Sequence, residues 1–185
     1  IKGELFQKIG NDRDARLMFK EINQDSDFYL DAQINLALNY SFYSSYDEAI
    51  KNINNLLEKN NNLYPIKKIL ADTHRIEKNY KLAIQLYNEM IERNENDLWS
   101  IYYLRGICFE RLGQWDKAEK NFLKSLDLKP DSPNVLNYLA YGWVERNIRL
   151  DQSLEMLKAA YAANPESSYI IDSLAWAYFK KNNYN

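Results

Sequence analysis

His74 stands two residues after Asp72 and three before Glu77, a grouping that in a cleft would make a general base with a carboxylate to orient its ring. It is the single histidine of the chain, and Cys108 is the single cysteine. A reactive thiol needs a neighbouring cation or base to lower its pKa. Cys108 lies between Ile107 and Phe109, a setting that fits a small buried hydrophobe. Glu92 and Glu95 form a carboxylate pair, but they fall on the polar end of a predicted helix, where solvated surface is the expectation. Lys68 and Arg75 are cations able to hold a carboxylate. One His and one Cys exclude an intrachain disulfide and a Cys/His metal site. No phosphate-binding loop, dinucleotide glycine fingerprint, His-Glu-x-x-His or Gly-x-Ser-x-Gly occurs. The expectation is therefore a chain without catalytic residues, metal or cofactor, and not an enzyme.

Composition narrows the class further. The 185 residues are 46% apolar, enough for a folded core and far from the signature of disorder. A formal charge of −2 provides no field to gather phosphate backbones or an anionic membrane, so nucleic acid is not an expected partner. No run approaches the roughly 18 apolar residues of a bilayer span. The chain opens Ile1-Lys2-Gly3-Glu4, without the charged-then-apolar order of a signal peptide. That start reads as a cut, which leaves cytoplasm and envelope both open. The Asn-rich composition, as in Asn60-Asn61-Asn62, reads as codon bias.

The elements that carry these side chains follow from a period. Gly3, Ala37, Ala71, Gly106, Ala140 and Ala175 are separated by 34, 34, 35, 34 and 35 residues. A second ladder, Ala15, Ala49, Ala83, Ala118 and Ser153, keeps the same period, and each rung is followed four residues later by Phe19, Ile53, Tyr87, Phe122 or Leu157. Such a recurrence is the mark of a repeat architecture. Between the rungs the apolar residues have the 3.6-residue rhythm of short amphipathic helices, for example Leu30 to Phe42 and Tyr46 to Leu57. Each repeat is two helices and a turn. Gly10 and Gly113 fall between paired helices, and Pro130, Pro133 and Pro165 fall between repeats. Ser132 before Pro133 reads as an N-cap, and Asp47, Asp116 and Asp151 are placed to cap second helices and oppose their dipoles. His74 occupies an aromatic rung, so packing is its expected role, and Tyr40, Tyr46, Tyr80, Tyr87, Tyr102, Tyr178 and Tyr184 read as core.

Tyr102 to Pro130 reads Tyr-x-x-x-Gly-x-x-Phe-x-x-x-Gly-x-Trp-x-x-Ala-x-x-x-Phe-x-x-Ser-x-x-x-x-Pro, which closely resembles the tetratricopeptide repeat signature. Leu139-Ala140, Trp143, Ala160 and Pro165 repeat it, with one extra residue near Arg149 and Ser153 in place of Ala. Residues 30–63 match through Leu36-Ala37, Tyr40, Ala49 and Ile53, and 64–98 through Tyr80, Ala83 and Tyr87, both without the closing proline. The resemblance implies an all-α fold, a right-handed α-α superhelix of helix-turn-helix repeats. It implies one array over 1–185: a partial repeat at 1–29, repeats at 30–63, 64–98, 99–132 and 133–167, and the first helix of a truncated repeat at 168–185. Half-repeats at both ends imply a piece of a longer array and invite end-to-end self-association. Asn137-Tyr-Leu-Ala-Tyr-Gly-Trp and Asp172-Ser-Leu-Ala-Trp-Ala-Tyr are similar to helices of bacterial members, which implies a bacterial origin.

Members of this family line a concave face with their first helices and hold a protein or peptide there. The resemblance places Lys68 and Arg75 on that face in the N-terminal half, after an apolar patch of Ile34, Leu38 and Phe42. It places Tyr103, Ile107, Asn137, Tyr141, Asp172 and Trp176 there in the C-terminal half, with Val144 and Phe179. Some members clamp a chaperone's C-terminal carboxylate with Lys and Asn on consecutive first helices. Here the corresponding sites hold Ile34 and Leu38, Lys68 and Asp72, Tyr103 and Ile107, and Asn137 and Tyr141, which disfavours that ligand. The expected function is an interaction scaffold binding a peptide or partner protein of unknown identity. The alternative is the non-catalytic, substrate-recruiting arm of a larger enzyme such as a glycosyltransferase or peptidase.

Overall fold

Helices of about a dozen residues are marginal alone in water, so the docking of neighbours must hold them. The computed structural model describes residues 10–61 and 63–183, with no account of the side chains of residues 182 and 183. Gly3 and Tyr184, assigned above to the ladder and the core, lie outside the described residues. Among those described there are ten helices and no strand: α1 (Asp12–Lys20), α2 (Tyr29–Tyr43), α3 (Tyr46–Lys59), α4 (Tyr64–Ile76), α5 (Tyr80–Glu92), α6 (Leu98–Arg111), α7 (Trp115–Leu128), α8 (Pro133–Glu145), α9 (Leu150–Ala163) and α10 (Ser168–Asn183).

They form two compact units, one ending at Glu95 and the other beginning at Asn96. In the first, α2 packs on α1, α3 and α4, and α4 packs on α3 and α5. In the second, α6 to α10 pack consecutively and α10 also meets α8. Apolar clusters run along each seam, one around Phe19, Leu36, Tyr40 and Ile53 in the first unit and others around Phe122, Leu139 and Trp143, and Val144 and Leu157, in the second.

The second-helix ladder is the spine of this packing. Ala15, Ala49, Ala83, Ala118 and Ser153 and their partners Phe19, Ile53, Tyr87, Phe122 and Leu157 are all buried. The reason is close approach: a Cβ on Gly106 of α6 would lie 2.7 Å from Cε1 of Phe122 and 3.2 Å from Cβ of Asn121 on α7. On the first-helix ladder Ala37, Ala71, Gly106 and Ala140 are buried in the same way. Ala175 and Tyr178 of α10 depart from the expectation, with Tyr178 45% exposed. In α6 the corresponding face meets the second helix of its own repeat, whereas α10 packs on α8 and α9.

Turns between paired helices use a left-handed residue, Gly113 (φ 72°) before α7 and Lys78 (φ 63°) before α5. The extra residue near Arg149 is absorbed in the turn before α9, where Asn147 and Arg149 adopt φ of 53° and 52°. Capping differs from expectation. Ser132 flanks α8 but its hydroxyl makes no capping bond, whereas Ser45 accepts from the Glu48 amide at α3. Asp47, Asp116 and Asp151 sit inside their first turns, where they oppose the dipole without capping.

Candidate functional site

His74 of α4 is 8% exposed and edge-on to Tyr46, with Nδ1 2.8 Å from the Tyr46 hydroxyl. Burial lowers its pKa, so the imidazole is neutral and acts as a packed ring. Asp72 does not orient it. That carboxylate accepts from Tyr87 (2.6 Å) and Lys68 (3.3 Å) and pairs with Arg75 (3.5 Å). The cations expected to hold an incoming carboxylate thus hold one from their own helix. Cys108 is buried and Glu92 exposed. Among the described residues no group of three His, Cys, Asp or Glu side chains could hold a metal, and no helix is long and apolar enough to cross a membrane.

In the second unit, α8 is the centre of the candidate surface. Asn137 and Tyr141, one helical turn apart, line a trough with Arg111, Tyr138, Tyr169 and Ser173. Tyr141 is 42% exposed, and Asn137, at 5%, is buried with Oδ1 unbonded. Tyr141 also borders a recess of about 520 Å³ walled by Glu110, Trp115, Tyr138, Gly142 and Glu145. The hydroxyl of Tyr141 has its pKa raised by burial and by the charges of Glu145 and Glu110. Gly142 makes the recess possible, because a Cβ there would run into the Trp115 ring.

The remaining expected residues are spread around this centre. Tyr103 is edge-on to Tyr138 at 5.5 Å, and Ile107, at 7% exposed, belongs to the core around Phe122 and Leu139. Trp176 of α10 donates Nε1–H to Glu145 Oε1 at 2.6 Å and stacks on Phe179 at 5.2 Å. Asp172 is exposed on α10. Glu110, Trp115, Tyr138 and Glu145 were absent from the sequence expectation. The Gly142 opposite Trp115 was the available signal for them, since a glycine inside a helix marks a close approach.

A family model described as tetratricopeptide repeat matches residues 99–132, which comprise α6 and α7. Residues 99–132 thus carry a tetratricopeptide repeat. The chain is 30% identical over 102 residues to BBSome complex member BBS4 of Bos taurus, covering 55% of this chain and 19% of that protein. It is 25% identical over 120 residues to the TPR repeat-containing protein PA4667 of Pseudomonas aeruginosa, covering 64% and 20%. The chain thus spans about a fifth of the length of these curated relatives. Among solved structures, a tetratricopeptide repeat protein from Parabacteroides merdae aligns with a TM-score of 0.73 at 19% identity, over 98% of this chain and 71% of that one. That likeness shows the fold, an all-α tetratricopeptide solenoid.

Proposed function

We propose that this chain is a protein interaction scaffold that holds a peptide segment of its partner against the first helices of the second unit and contributes position, with no catalysis of its own. The observation that carries this reading is the surface of α8. Tyr141 stands half-exposed between a trough and a recess, beside the buried and unbonded amide oxygen of Asn137. Rings with a few convergent polar groups are the usual equipment of a peptide site. Trp176, held by Glu145, and exposed Asp172 extend the surface onto α10. In the first unit Lys68 and Arg75 are committed to Asp72, so that helix supports the reading less. The BBS4 relative is by its name a member of a complex, in keeping with a scaffold role.

The test is to select linear peptides from a random display library on the immobilised chain and measure their affinity for wild type and Tyr141→Ala. Loss of the aromatic wall should weaken selected peptides about tenfold, the expectation for one stripped anchor. Equal affinities for the two proteins would overturn the reading.

A further inference from the structure

The trough and the recess are continuous through Arg111, Tyr138 and Tyr141, which line both. Buried polar atoms without a partner are uncommon in folded chains. Three buried atoms without a hydrogen-bond partner, Glu110 Oε2, Trp115 Nε1 and Asn137 Oδ1, belong to residues lining this one surface, and of these Glu110 Oε2 is ion-paired with Arg111. Two of the three are acceptors. Glu145 adds a second carboxylate, of which Oε1 takes the Trp176 indole N–H. The two carboxylates on this wall favour an occupant that brings donors.

The arginines on the same walls do not fill that need. Arg146 donates Nη1–H to the Gly142 carbonyl at 2.9 Å and lies 3.9 Å over the Trp115 ring. It is spent on the wall, and it shows that a ring in this place takes a guanidinium on its face. Arg111 stands at the rim, half-exposed, with Nε 3.4 Å from Glu110 Oε2. The Arg111 end of this pair is open to solvent, and a cation entering the recess would compete with it for Glu110. The pKa of Tyr141 is raised first by burial and then by the charges of Glu145 and Glu110.

We propose that the recess receives a Lys or Arg side chain of the bound peptide, its charge set against Glu110 and Glu145 and its stem along the rings of Tyr138 and Tyr141. This rests on the peptide-holding reading above and names the chemistry that the surface selects.

The selected display peptides test it. The expected result is a Lys or Arg at one fixed position, and a synthetic peptide with norleucine there binding about tenfold more weakly by fluorescence anisotropy. Glu110→Gln and Glu145→Gln, checked for folding by circular dichroism, should each shrink that gap, while Glu155→Gln on the exposed side of α9 should leave it intact. Selected peptides with no basic position, or with Asp or Glu at the fixed position, overturn the proposal. So does a gap that persists in both Gln variants; if Tyr141→Ala still weakens those peptides, the peptide-holding reading survives alone. Failure to select any peptide overturns both.

Discussion

The rung that holds His74 in the first unit holds Phe109 and Trp143 in the second, and the contrast shows how one docking frame carries two chemistries. His74 needs a partner for its ring nitrogen and finds the Tyr46 hydroxyl; Trp143 likewise sends its indole N–H to Glu119 at 2.7 Å. Around His74 the charges close on themselves, with Asp72 gathering Tyr87, Lys68 and Arg75. Around Tyr141 the closure is looser: Glu110 has an ion pair with Arg111 but its Oε2, like Asn137 Oδ1, makes no hydrogen bond. A repeat therefore fixes where side chains stand, and the residues between the rungs decide whether a first helix is self-contained or receptive.

The largest effect should come from attacking what the two units share. Ala83→Leu in the first and Ala118→Leu in the second each overpack a fully buried crossing, at a cost of roughly 1–3 kcal/mol. Chemical denaturation of each variant measures it; an unchanged midpoint for either would mean that the ladder is not a common spine.

The next effect separates the units. Burial holds the His74 pKa below its ordinary 6.5, so just below that pH the unfolded chain binds a proton that the folded chain refuses. The His74 contribution to stability is complete above 6.5 and is lost as pH falls from there toward the lowered folded value. Thermal unfolding from pH 7 to pH 5 should show a decline in Tm that is shallower in His74→Phe. Identical slopes would mean that the imidazole is not desolvated.

The smallest effect concerns the turn. Lys78 holds with φ 63° the place that Gly113 fills with φ 72°. Lys78→Gly should stabilise by up to about 1 kcal/mol, relief of the left-handed strain being partly offset by the freedom that glycine adds to the unfolded chain. Gly113→Lys should do the reverse, and equal melting temperatures for both would remove the distinction.

The helix pairs and their docking were legible because the small and ringed rungs are themselves the contacts: Ala118 with Phe122 both names the crossing and fills it. The commitment of Lys68 and Arg75 was also within reach, since Asp72 lies four residues from one and three from the other, the spacing of helical ion pairs. Ile107 was placed on the groove by its register on a first helix, yet α7 and α8 enclose it with Phe122 and Leu139. The recess was illegible for a related reason. It forms where Trp115 of one repeat crosses Gly142 of the next, and a period describes each repeat without saying which side chains of its neighbour it will meet.

The turn before α9 has a separate consequence. Arg149 carries the added residue there in a left-handed conformation, and Ser153 and Leu157 beyond it remain fully enclosed. Chain length is thus decoupled from side-chain registration at that joint. An insertion can lengthen the connection without shifting either neighbouring helix along its axis, which makes this bend the natural point for grafting an epitope or a fluorophore into the array.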